Sequence, residues 1–186
     1  MSQLAQLALS QLVIVDMQTK LADVMPAEVM QSTVKYCATL VQAAYILNIP
    51  VTATEQYPQG LGNTIPELQQ HLSAKANFKP IAKTAFSATS EPKFNQQLVR
   101  DQSQIILAGM EAHICILQTA LALSKMGKQV FVVEDAIISR NPANKTNAVA
   151  RMRDAGCVIT NTESVLFEWL GNANHVAFKD VSKLIR

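Results

Sequence analysis

The stretch Ile105-Ile-Leu-Ala-Gly-Met-Glu-Ala-His-Ile-Cys115 joins a short apolar run to a lone thiol across a single glycine. Ile105 to Ala108 has the length and apolarity of a strand buried on both faces, the pattern of a parallel sheet. Ile114 to Gly127 reads as a helix, so Cys115 falls in its first turn. Backbone N–H groups in a first turn have no intrahelical partner and the helix dipole is positive there. Both effects favour thiolate over thiol and suit an oxyanion. The competing reading is a buried cysteine acting as a small hydrophobe.

Outward from this unit, six short apolar or strand-like segments alternate with helical stretches: Leu12 to Asp16, Pro50 to Glu55, Phe78 to Ala82, Ile105 to Gly109, Val130 to Asp135 and Cys157 to Asn161. Such alternation implies a parallel sheet and an α/β class. Helix punctuation agrees, with Pro26 suited to a first turn, Gly127 after the helix of Cys115, and Pro142 opening a stretch that ends before Gly156. Tyr57 to Pro66 is rich in Gly and Pro and reads as a loop beside the site. Leu166, Phe167, Trp169 and Leu170 form an apolar helix surface that belongs to the core or to an interface. Gly171 to Arg186 is expected to pack as a terminal helix or to reach a neighbouring subunit. No repeat or linker divides the chain, so residues 1–186 are expected to form one domain.

Composition narrows the function classes. Charged residues are 16% of the 186 and the AVILMFWYC set is 49%, a balance that fits an extensive interior or a homo-oligomer, a dimer or higher. The formal charge is +2 and Lys and Arg are scattered, which gives no basic stripe for nucleic acid. No apolar run approaches the roughly 18 residues of a membrane span, and residues 1–11 lack Lys and Arg, so a soluble cytoplasmic protein with a small-molecule substrate is expected. Gly60-Leu-Gly62 lacks the third glycine of a dinucleotide motif, and no Gly-x-Ser-x-Gly elbow is present.

The three cysteines have no paired spacing, which argues against a disulfide framework and a zinc site. Cys37 shares one helical stripe with Val34, Val41 and Ala44, and Cys157 opens a strand, so both read as core. Asp16 ends the apolar run Leu12-Val-Ile-Val, at the sheet edge where ligands bind in open parallel sheets, and is a candidate general base. Its structural alternative is a helix cap. Lys83 follows Pro80-Ile-Ala82, and Thr84-Ala-Phe-Ser87 after it looks like a loop folded toward the sheet end. If the strands run 3-2-1-4-5-6, Asp16 and Cys115 flank the switch-point crevice and Lys83 reaches in from two strands away.

On Val15-Asp-Met-Gln18, Lys83-Thr-Ala-Phe-Ser87 and Gly109-Met-Glu-Ala-His-Ile-Cys115, in that order and spacing, the chain resembles the isochorismatase-like cysteine hydrolases. Thr54 to Gly62, Ile65-Pro-Glu-Leu68, Arg151-Met-Arg153 and Phe178-Lys-Asp180 are similar to the isochorismatase domain-containing subgroup. The resemblance implies a three-layer α/β/α sandwich, Rossmann-like, around a parallel six-stranded sheet of order 3-2-1-4-5-6. It also implies a triad of Asp16, Lys83 and Cys115, an oxyanion hole from the backbone N–H groups of Glu111 and Cys115, and a cis bond between Met110 and Glu111.

The activity so implied is hydrolysis of a small amide or related carbonyl compound through a thioester on Cys115. A second branch of the family cleaves the vinyl ether of isochorismate; it ranks lower because Gln18, Glu55, Gln56, Tyr57, Phe86 and His113, the candidate substrate-binding residues, include no arginine to meet a dianion. A third possibility is a catalytically idle binding or scaffold protein. Nicotinamidases of the family carry an Asp and His residues after strand two, whereas Glu55-Gln-Tyr-Pro58 stands here. His71, His113 and His175 are far apart, so neither a metal nor another cofactor is expected.

Overall fold

In the computed structural model, which describes residues 3–185, the strands β1 (Ser10–Val15), β2 (Val51–Gln56), β3 (Ile81–Lys83), β4 (Gln104–Met110), β5 (Gln129–Ile138) and β6 (Val158–Thr160) form one sheet. All pairings are parallel and the order is β3-β2-β1-β4-β5-β6, the order the resemblance implied. Every residue of β1 and β4 is buried, which is why these central strands read as unbroken apolar runs.

Helices α1 (Thr19–Ala22), α2 (Ala27–Ile46), α3 (Pro58–Leu61), α4 (Pro66–Leu72), α5 (Pro92–Gln97), α6 (Leu117–Lys125), α7 (Pro142–Asp154), α8 (Thr162–Leu170) and α9 (Phe178–Ser182) connect and follow the strands. Because side chains alternate along a strand, β1 divides its residues between two cores. Leu12 and Ile14 meet Leu40 and Val41 of α2, Leu68 of α4 and Trp169 of α8 in one core. Val13 and Val15 belong with Phe94 of α5, Leu123 of α6 and Met152 of α7 in the other. The result is the expected three-layer sandwich. Leu166, Trp169 and Leu170 are core, while Phe167 is 41% exposed and leans on Phe178. Val181 of α9 is buried against the first core, and Arg186 lies outside the described residues.

Three elements differ from the sequence expectation. The edge strand β3 is Ile81–Lys83, not Phe78 to Ala82, so Lys83 is its last residue and pairs with Gln56. The segment after Tyr57 holds the short helix α3, and Thr64 bridges back to Gln18. Most consequential is β5, whose acidic pair Glu134-Asp135 reads as the strand's end. The register shifts between Leu107 and Gly109, β5 carries extra residues there, and pairing resumes with Gly109 to Ile137 and Met110 to Ile138. Asp135 turns aside to accept from the N–H and hydroxyl of Thr162, each at 2.9 Å to Oδ1, at the start of α8. The turn that follows β5 therefore begins at Ser139.

Candidate active site

Asp16 follows β1 directly, with φ of 52° and no solvent exposure. The in-phase register of β1 with β2 sets Val15 beside Thr54. Thr54 Oγ1 donates to Asp16 Oδ1 at 2.7 Å, and the Asp16 N–H donates to the Thr54 carbonyl at 3.0 Å. On the other side of β1, Val15 faces Gly109, whose φ is +121°. A Cβ at that glycine would run into the Val15 carbonyl oxygen, so glycine alone lets the carboxyl ends of β1 and β4 close this tightly.

Lys83 enters from β3 with its side chain fully buried. Its Nζ lies 2.7 Å from Asp16 Oδ2 and donates to Gln56 Oε1 at 2.6 Å, to the Phe86 carbonyl at 3.0 Å and to the Ala85 carbonyl at 3.2 Å. It also approaches Cys115 Sγ at 3.6 Å. The carbonyls come from Thr84 to Ser87, the loop expected to fold toward the sheet end, and this acceptor cage supplies the partners that the buried Nζ needs.

Cys115 does not sit in the first turn of a regular α-helix. It lies in a π-helical turn, Ala112–Ile116, ahead of α6, and the Glu111 carbonyl accepts from the N–H groups of both Ile114 and Ile116. The surroundings of the sulfur also oppose the thiolate that a first turn would favour. Burial first, then the Asp16 charge and a hydrogen bond to Asp16, push Cys115 up to about 12, and the Lys83 ammonium opposes them. The free site thus holds a thiol beside a carboxylate–ammonium pair. The Met110–Glu111 peptide bond is cis.

A family model described as "Isochorismatase domain" matches residues 10–164. The chain belongs to the isochorismatase family. Isochorismatase domain-containing protein 2 of Bos taurus is 38% identical over 179 residues, which cover 95% of this chain and 83% of that protein. The "Secreted isochorismatase effector Isc1" of Phytophthora sojae is 38% identical over 151 residues, covering 80% of this chain and 71% of that one. Among solved structures, one described as MAR1 ribonuclease from Caenorhabditis elegans superposes with a TM-score of 0.90 at 36% identity, over 97% of this chain and 91% of its own.

Within this isochorismatase-family framework, the three ionisable residues singled out from sequence meet at the ends of β1, β3 and β4. The wider set divides. Gln18 has no exposed surface: its Nε2 donates to the Gln56 and Gly62 carbonyls and its Oε1 accepts from the Gln56 N–H. Glu55 is buried and accepts from the N–H and hydroxyl of Thr64. Both therefore anchor the loop behind the site. Tyr57 and Phe86 are more than half exposed. His113 Nδ1 lies 3.0 Å from Ser139 Oγ and Nε2 lies 3.4 Å from Asn144 Nδ2, so the ring is tied to the turn after β5 and not to Cys115.

Sequence reasoning passed over that turn and over Thr54. An arginine does reach the site's rim: Arg140 donates from its backbone N–H and from Nε to Glu111 Oε2, at 3.0 and 3.2 Å. The only available signal was the β5 bulge, which the acidic pair concealed. Among the described residues, no group of three or more His, Cys, Asp and Glu is placed to hold a metal ion, and no helix is long and apolar enough to cross a membrane.

Proposed function

We propose that this hydrolase-family chain cleaves a small amide, or a related carbonyl compound, through a thioester on Cys115. One observation supports this above the rest: a single ammonium, Lys83 Nζ, lies 2.7 Å from the Asp16 carboxylate and 3.6 Å from the Cys115 sulfur. Losing the thiol proton to water would leave the buried site with a net negative charge, which is costly. Passing it to Asp16 leaves the site neutral overall. The thiolate then forms beside Lys83 at the moment of attack on the carbonyl carbon.

The tetrahedral oxyanion is held by the backbone N–H groups of Glu111 and Cys115. Protonated Asp16 gives its proton to the departing amine as the C–N bond breaks, leaving an acyl-cysteine. Asp16, again a carboxylate, takes a proton from the attacking water, and the acid product leaves as the thiol is restored. Burial of the carboxylate between Thr54 and Lys83 keeps it in place for both proton transfers. Tyr57, Phe86 and His113 are the side chains left to contact substrate. The low charged fraction supports a homo-oligomeric assembly.

The test is exposure to a mixed set of small amides and aldehydes, read by intact mass and peptide mapping. The expected result is a Cys115 adduct and amide turnover that falls at least about 10⁴-fold in C115A. Near-normal turnover in C115A overturns the nucleophile assignment. RNA belongs in the same assay, given the name of the nematode neighbour; RNA cleavage without any Cys115 adduct would replace this reading.

A further inference from the structure

We propose that Arg140, acting through the Glu111 carboxylate, is a positioning residue that aims the Glu111 N–H at the developing oxyanion. The inference rests on the hydrolase reading above and adds to it a part that no triad residue supplies.

The turn after β5 grips the nucleophile turn at two places. Glu111 Oε2 accepts from both the backbone N–H of Arg140 at 3.0 Å and its Nε at 3.2 Å. Two positions further on, His113 lies between Ser139 and Asn144. Residues 111 and 113 are thus fixed from the β5 side while Lys83 meets residue 115 from the β3 side. The Glu111 side chain is 6% exposed, that of Arg140 57%. This pair compensates a nearly buried carboxylate. What it fixes is direction, because the carboxylate belongs to the residue whose own N–H serves the hole, and misplacing a catalytic group by about 1 Å costs on the order of 10² in rate.

Two probes separate aim from intactness. Acylation by p-nitrophenyl acetate passes through an oxyanion, with the S–C bond forming and p-nitrophenolate leaving. Alkylation by iodoacetamide forms the S–C bond as iodide leaves and creates no oxyanion. In R140A the acylation burst is expected to slow about tenfold with KM within about twofold, and in E111A, which loses both contacts, about a hundredfold. E111Q keeps an oxygen acceptor for both donors and should recover most of the rate lost in E111A. Iodoacetamide labelling of Cys115 should stay within about threefold of wild type throughout, with melting temperatures confirming the fold. Equal losses in labelling and acylation would reduce Arg140 to general structural support and overturn the proposal, as would a full-rate burst in both R140A and E111A. A wild-type chain with no Cys115-dependent burst would overturn the hydrolase reading and this inference with it.

Discussion

Cys37 and Cys115 are both buried thiols, one in the middle of α2 and the other in the π-helical turn after β4, and they differ in what faces the sulfur. Cys37 has no exposed surface and sits against the Ala136 carbonyl at 3.5 Å, with burial and then the Asp135 charge pushing its pKa up. Cys115 also loses hydration, yet an ammonium stands 3.6 Å away and the Asp16 charge acts on the thiol from the same site. Burial alone makes an inert thiol. Burial beside a paired acid and cation makes a site where a proton can move without changing the net charge, and the proposed chemistry depends on that difference.

Removing the cation should break the contrast most severely. Lys83→Ala strands the Asp16 carboxylate in the interior, and the expected loss of stability is about 3–5 kcal/mol by chemical denaturation, with Cys115 becoming as unreactive as Cys37 toward iodoacetamide. A variant that keeps wild-type stability and labelling would mean that Lys83 does not govern the sulfur. Asp16→Asn sharpens the comparison by splitting two roles. Amide turnover should fall by about 10² to 10⁴ as the proton acceptor is lost. Alkylation of Cys115 near neutral pH should instead quicken, because the carboxylate's charge and hydrogen bond both raise the thiol's pKa. The sign for wild type follows: a thiol pushed up to about 12 is protonated at neutral pH, so its labelling rate should still climb at a pH where an ordinary thiol of pKa about 8.5 has levelled off. Slower labelling in D16N would assign the carboxylate a role in presenting the thiolate. The smallest effect belongs to Cys37→Ala, a small cavity of about 1 kcal/mol with turnover unchanged; a large loss of activity there would erase the distinction between the two sulfurs.

The central strands were legible because β1 and β4 are buried on both faces, leaving the apolar runs before Asp16 and Gly109 nothing else to be. The meeting of Asp16 and Lys83 was legible for a related reason, since a charged residue closing such a run has to lie at the sheet edge. What the chain conceals is pairing between distant strands. Thr54 contributes to the site only through the register of β2 on β1. Arg140 contributes only because a bulge carries β5 past its acidic pair to Ile138. Gln18 follows Asp16 closely and Glu55 follows Thr54, yet the fold turns them inward to tie down the loop from Tyr57 to Thr64.

The crowd of acceptors around Lys83 has a dynamic consequence. An ammonium has three protons, and five neighbours compete for them, two being loop carbonyls at 3.0 and 3.2 Å. In the proposed reaction, as the sulfur gains charge, a small rotation at Nζ can trade a weak carbonyl partner for it while every chain segment stays still. The solvent rearrangement that would accompany the same charge transfer in water is thereby replaced by the reshuffling of one hydrogen bond within an already built shell.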